Sequence, residues 1–182
     1  MMKNLFEQSR SHWVRYDHYE LKTAEDGKRY ITPGKNAKPD VYNPLKEVPN
    51  IVLDALNVPA DHARPLDALL QLLDQVQGWD EESVRLGCPL NNLMQEMSAV
   101  DEEFRLHLTA IVTRWQSRVE ALLQLAQARG QLLPAVDCHA AALFIVAAWE
   151  GCVSVAKNMR SMPVFVASIE QLKCYIRQLQ PD

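Results

Sequence analysis

From residue 64 onwards, hydrophobic positions recur at the three- and four-residue spacing of amphipathic helices. One stripe is formed by the leucines of RPLDALLQLLDQV (64–76), at positions 66, 69, 70 and 73. PLNNLMQEM (89–97) gives a second stripe with Leu90, Leu93, Met94 and Met97. Asp101 then opens a long helix that we expect to end near Arg129, where Gly130 accepts a left-handed backbone. Its apolar face is predicted to be buried.

Two further helices are predicted at the C-terminus. Asp137 is suited to cap a helix over 138–160, which is apolar nearly all round from Ala140 to Trp149. The last helix, 163–180, carries a seam at 4-3-4-3 spacing, made by Phe165, Ile169, Leu172, Ile176 and Leu179. Such a seam has to be buried either on its own domain or on a second subunit.

Residues 1–60 follow a different pattern. Aromatic and β-branched residues flank Asp26-Gly27, a combination that predicts a β-hairpin. Prolines and a glycine between 33 and 49 exclude a long helix before about Asn50. We therefore expect a mainly α protein, in which a small irregular N-terminal segment (1–60) containing a hairpin precedes an antiparallel helical bundle (61–182).

Composition narrows the class of protein. The 182 residues are 48% hydrophobic and 23% charged with a net charge of -4, a globular balance that does not suggest a nucleic-acid polyelectrolyte. The N-terminus has no signal-like apolar core, and the longest apolar run, 140–149, is half the roughly 20 residues of a bilayer span. These features predict a cytoplasmic protein with reduced thiols.

Signals for catalysis are weak. The nucleotide-binding, zinc-protease and serine-hydrolase motifs are missing, and the histidines and four cysteines lack metal-ligand spacing. We therefore expect no enzyme activity, no metal and no cofactor.

Two individual residues have alternative interpretations. Cys88 precedes a helix, where unpaired N–H groups favour a reactive thiolate, but the interpretation that we prefer is a small buried residue that closes the turn after Gly87. Glu150 interrupts a very apolar helix, and it would either bind a ligand cation or pair with Lys157 or Arg160 across a dimer.

Residues from about 64 to 182 resemble the C-terminal ligand-binding and dimerisation domain of the TetR/AcrR family of transcriptional regulators. The resemblance lies in GCPLNNLMQEMSAVDEEFRLHL (87–108), RWQSRVEALLQLAQARGQL (114–132) and AAWEGCVSVAKNMRS (147–161). It implies a bundle of the TetR C-terminal type and a homodimer that pairs through the last two helices. Candidate interface residues are Ala148, Gly151, Cys152, Phe165, Ile169, Leu172, Ile176 and Leu179.

The resemblance also implies a cavity for a small hydrophobic effector inside the bundle. Its candidate lining is Cys88, Met94, Met97, Phe104, His107, Ile111, Trp115, Phe144 and Trp149, which otherwise belong to an ordinary core. The family's N-terminal helix-turn-helix is not recognisable in residues 1–57, so no DNA contact is assigned. The resemblance therefore implies an effector-sensing, dimeric regulator. The alternative is an interaction module, or a heterodimer partner without a DNA-binding head, that takes no ligand.

Overall fold

Six helices and one strand pair make up the part of the chain that the computed structural model describes, residues 19–23, 29–33, 63–99 and 102–181. The helices are α1 (Pro65–Gln77), α2 (Glu81–Leu86), α3 (Pro89–Met97), α4 (Glu102–Ala128), α5 (Cys138–Met159) and α6 (Met162–Gln178). The mainly helical bundle predicted from the sequence is confirmed.

The two strands lie where the sequence predicts a hairpin. β1 (Tyr19–Thr23) pairs antiparallel with β2 (Arg29–Pro33), with Leu21 opposite Ile31. The Asp26-Gly27 turn and residues 34–62 lie outside the described residues. The domain boundary near residue 60 therefore stays a prediction.

Local sequence signals set the helix ends. The Asp80 carboxylate accepts the Ser83 N–H at 2.8 Å and begins α2, and Asp137 likewise accepts the N–H groups of His139 and Ala140 at the start of α5. Gly130 follows α4 with a φ of 69°, as expected for a left-handed helix end. The predicted roles of Asp137 and Gly130 are thus confirmed.

The core lies where α4 and α5 pack against each other and against α1 and α6. Trp115 of α4 meets Trp149 of α5 edge to face, with ring centroids 5.4 Å apart. Phe165 of α6 stacks on Trp79, which follows α1, at 5.7 Å. The long helices therefore hold α1 and α6 on one continuous hydrophobic core.

The seam of α6 faces this core, which corrects part of the predicted dimer interface. Phe165, Ile169 and Ile176 are fully buried within the single chain, and Leu172 nearly so. Of the five seam residues, only Leu179 is half-buried. A spacing of 4-3-4-3 says only that a helix has one apolar face; here that face is covered by α1, α2 and α5 of the same chain.

A buried ammonium group ties α1 to α6. Lys173 lies 2.5 Å from an oxygen of Asp74 on α1 and 2.8 Å from Glu170 on its own helix. It also donates to the side-chain carbonyl of Gln77 at 3.2 Å. Carboxylates on both sides compensate the desolvated charge and fix the register between the two helices.

Helix α5 is long and apolar enough, by length and composition, to cross a membrane. That is weak support for a span, because core helices of soluble proteins pass the same test. Its buried residues include Ala142, Ile145, Val146 and Val153, which pack in the protein's own core.

Gly87 joins α2 to α3 and is predicted to resist substitution. Its φ of 73° and ψ of -172° fall in a region that is essentially restricted to glycine. A Cβ there would also meet Cδ of Lys157 at 2.7 Å. We expect Gly87→Ala to lower the free energy of unfolding by about 1–3 kcal/mol, measured by urea denaturation.

The matched control is Gly78→Ala. Gly78 has a φ of -81°, and an added Cβ would make only ordinary contact there. It should change stability by about 0.5 kcal/mol or less. Equal effects of the two substitutions would show that the backbone at Gly87 is not what requires glycine.

Candidate functional site

A small polar cluster is buried where the start of α3 crosses the middle of α5. The Cys88 thiol donates a hydrogen bond to Oε1 of Glu150 at 3.1 Å. The Asn91 amide nitrogen lies 3.5 Å from the Glu150 backbone carbonyl and donates to the Ser154 hydroxyl. Helical spacing explains the grouping, since Asn91 lies one turn after Cys88 and Ser154 one turn after Glu150.

One oxygen of this cluster has no hydrogen-bond partner among the residues that the structure describes. Glu150 is only 7% exposed, and its Oε2 is buried without a hydrogen bond. Burial raises the pKa of Glu150 to about 7, although the hydrogen bond from Cys88 acts in the opposite direction. The site is therefore a carboxyl group with a free acceptor position in a low-dielectric environment.

The cysteine itself is held as a neutral thiol. Burial, followed by the nearby Glu150 charge, raises the pKa of Cys88 well above its ordinary value. Hydrogen bonds from the backbone N–H groups of Asn91 and Leu90 lower the pKa of Cys88, but by less than burial and the Glu150 charge raise it. Burial and the neighbouring carboxylate therefore disfavour the reactive-thiolate interpretation of Cys88, because a helix N-terminus does not compensate for desolvation beside a carboxylate.

The predicted ion pairs of Glu150 also require correction. Lys157 donates to the side-chain carbonyl of Asn92 at 2.6 Å, and Asn92 in turn donates to the Leu86 backbone carbonyl at 3.0 Å. Lys157 thus closes the α2–α3 connection onto α5. Glu150 lies inside its own subunit, so it does not pair with Lys157 or Arg160 across a dimer.

The structure brings part of the predicted pocket together. Ile111, Trp115 and Trp149 are buried in the core between α4 and α5, and Met94 is half-buried against it. Cys88 lies on the same core. The side chains of Met97 and Phe104 are outside the description, so their placement in a pocket stays a prediction.

Two predicted pocket residues lie on the surface instead. Phe144 is 51% exposed, and its ring contacts Tyr175 of α6 edge to face at 4.7 Å. His107 is exposed as well. The buried face of α4 passes through the adjacent Leu108, and that of α5 through the adjacent Ile145. Each predicted residue is therefore rotated out of the core by one helical step.

An apolar stripe is exposed along α5. It follows a 4-3-4-4 spacing on one face of the helix and consists of Phe144, Ala148, Gly151, Val155 and Met159. Five of the seven exposed large hydrophobic residues in the described chain lie on α5 or α6: Leu143, Phe144, Val155, Met159 and Val166. A Cβ added at Gly151 would meet nothing within 4 Å, so this face has open space above it.

Sequence reasoning missed two members of the polar cluster. Asn91 and Ser154 give no motif, and the only signal was their one-turn offset from Cys88 and Glu150. Within the described residues, no group of three or more His, Cys, Asp or Glu side chains is placed to hold a metal ion. The chemistry available at the cluster is thus hydrogen bonding and charge pairing.

The described region matches a known sequence family. The family model "Tetracyclin repressor-like, C-terminal domain" matches residues 65–171. The transcriptional regulator AcuR of Cereibacter sphaeroides is 37% identical over 81 residues, which are 44% of this chain and 37% of that protein. The chain thus matches well under half the length of this curated relative.

Two solved structures share the fold. A regulatory protein TetR from Rhodobacter sphaeroides aligns with a TM-score of 0.64 and 23% identity, covering 78% of this chain and 72% of that one. A TetR transcriptional regulator from Chloroflexus aurantiacus J-10-FL aligns with a TM-score of 0.65 and 24% identity, covering 80% and 75%. At these identities the likeness establishes the fold alone.

Proposed function

Since the chain belongs to the TetR family through its C-terminal domain, we propose that it is an effector-sensing transcriptional regulator. It binds a small, mostly apolar molecule within the helical domain and dimerises through α5 and α6. It acts in the cytoplasm, and its role is regulatory rather than enzymatic. The exposed stripe of α5 is the observation that carries this proposal.

The stripe supports pairing of two copies. Apolar side chains at helical spacing lose contact with water when a second helix covers them. Ala148, Gly151 and Cys152, which the sequence predicted at the interface, lie on or beside the stripe and are half-buried or exposed. Small residues there let a partner helix approach closely. Phe144 and Tyr175 extend the surface from α5 onto α6.

Effector binding is supported by what lies on the opposite side of α5. Glu150 and Ser154 face α3, whereas the stripe faces outward. A ligand placed between α3 and α5 would therefore act on the helix that carries the interface. By favouring one arrangement of two subunits over another, it would shift a pre-existing equilibrium.

DNA binding completes the proposal. The regulator interpretation is tested by gel shift with the full chain on DNA flanking its own gene. We expect a retarded band whose affinity falls as salt rises, because phosphate contacts release counterions. A chain that dimerises without any salt-sensitive DNA binding would instead act as a partner of another regulator.

Dimerisation is predicted to depend on the stripe. Val155 belongs to the stripe and is 50% exposed, so Val155→Glu would place a charge inside the paired surface. Because an unpaired buried charge costs several kcal/mol, we expect the mass in light scattering to fall from twice 20.7 kDa to 20.7 kDa.

Leu106→Glu is the matched control. Leu106 is 54% exposed on α4, away from the stripe, so its substitution should leave the dimer intact. A wild-type chain that stays monomeric at micromolar concentration would contradict the proposed interface. A Val155→Glu variant that still dimerises would do the same.

A further inference from the structure

The polar cluster between α3 and α5 is suited to one particular kind of effector. We propose that Glu150 anchors the positively charged nitrogen of an ammonium-type ligand, whose apolar body lies in the helical domain. The inference rests on the proposed function, because it names the chemical class of the effector. The observation that carries it is the buried Oε2 of Glu150, which accepts no hydrogen bond from any described residue.

A buried carboxylate oxygen without a hydrogen-bond partner is unusual. Buried polar atoms in proteins are nearly always paired, and a missing partner costs more for a charged group than for a neutral one. Here Oε1 is already engaged by the Cys88 thiol, so Oε2 is the atom left to accept. An N–H of the ligand would supply the missing donor.

The cluster also lacks a compensating positive charge. Among the described residues, no Lys, Arg or His forms an ion pair with Glu150. The nearby Lys157 is engaged by Asn92, and the thiol and amide groups around Glu150 are neutral donors. A cationic ligand would supply both charge and hydrogen bond, whereas a carboxylate ligand would be repelled.

The surrounding contacts keep the carboxylate in place. The Cys88 thiol holds one oxygen, and Asn91 bridges the Glu150 backbone carbonyl to Ser154. Glu150 therefore has little freedom to turn towards water. A fixed acceptor loses less entropy when it binds than a mobile one.

The test compares three probes with the same ring: benzylammonium, benzyl alcohol and benzoate. Isothermal titration calorimetry at pH 8 measures their binding to the full chain, to Glu150→Gln and to Glu96→Gln. Glu96 is an exposed carboxylate on α3, the helix that carries Asn91, and serves as the matched control. Glu150→Gln keeps the shape of the side chain and removes its charge.

We expect benzylammonium to bind the wild-type chain at least about tenfold more tightly than benzyl alcohol, because a charged pair is the stronger contact. Benzoate should not bind. Glu150→Gln should lose the preference for the ammonium, and Glu96→Gln should keep it.

A second arm uses the wild-type chain alone. Among the described residues, Cys88 is the titratable side chain that hydrogen-bonds to Glu150, and its raised pKa keeps it a neutral thiol through this range. Benzylammonium should bind more weakly at pH 5.5 than at pH 8, because Glu150 takes up a proton between them. This arm needs no variant to fold.

Several outcomes overturn the inference. These are equal affinity of benzylammonium for wild type and Glu150→Gln, a preference for the alcohol or benzoate, and no binding of any probe. If a chain that gives one of these results still dimerises and shifts DNA, the proposed function stands and only the cationic anchor is rejected. Loss of dimerisation and DNA binding as well would reject both.

Discussion

Phe165→Ala is expected to lower the free energy of unfolding by about 3–5 kcal/mol, the range for removing a large aromatic side chain from a core. Phe165 is fully buried and stacks on Trp79 at 5.7 Å, so the substitution leaves a cavity where α6 meets the segment after α1. Urea denaturation at one fixed protomer concentration measures the effect, since dimerisation would contribute to apparent stability.

The control for this prediction is Leu106→Ala, an apolar truncation at an exposed position of α4. This substitution should lower the free energy of unfolding by about 0.5 kcal/mol or less. If Phe165→Ala left the stability of each subunit unchanged and only dissociated the dimer, the ring would belong to the interface after all. The core assignment of α6 would then be wrong.

The second large effect is a pH dependence that arises from Glu150. Its pKa is raised from 4.5 in the unfolded chain to about 7 in the folded one. Below pH 4.5 the carboxyl group of Glu150 is protonated in both the folded and the unfolded state, so it does not lower the free energy of unfolding. Between pH 4.5 and 7 only the folded state keeps the proton, so stability falls as pH rises. Above pH 7 the full penalty is present, roughly 3 kcal/mol for a shift of this size.

The measurement compares the ligand-free wild type with Glu150→Gln from pH 5 to pH 8.5. Relative to wild type, the free energy of unfolding of the variant should rise by about 2.5 kcal/mol across this range, because glutamine never ionises. A difference that does not vary with pH would show that Glu150 titrates normally, and its burial beside Cys88 would then need another explanation.

Glu170→Gln is the control with the opposite sign. Lys173 and then Arg177 lower the pKa of Glu170 to about 2 by hydrogen bonding. Its contribution to stability is therefore present above pH 4.5 and is lost as pH falls towards 2. From pH 5 upwards the carboxyl is ionised in both states, so the difference from wild type should stay constant.

The two properties of Glu150 have one cause. An uncompensated buried carboxylate destabilises the empty protein at neutral pH, and the same lack of a partner leaves an acceptor for a ligand. The lower stability at neutral pH is therefore coupled to selective binding of a cation. Glu150→Gln should accordingly be more stable and less selective, as is common when function requires a strained or desolvated group.

Much of the fold followed from the sequence, because it depends on local chemistry. Stripes at three- and four-residue spacing predicted the helices, and Asp137 and Gly130 marked ends that the structure confirms. The same spacing did not reveal what covers each face. The seam of α6 has the pattern of a dimer interface, yet it is buried in its own chain, because a helical pattern carries no information about its partner.

The candidate site depended even more on tertiary structure. Sequence alone indicated Cys88 at a helix start and Glu150 as an anomaly in an apolar helix, 62 residues apart. Their contact, and the neutral thiol that results, arises only when α3 crosses α5 and removes both groups from water. The sequence thus determined which helices form and which residues are chemically unusual. Only the packing decided which of these residues meet, because desolvation and charge proximity are properties of the folded interior.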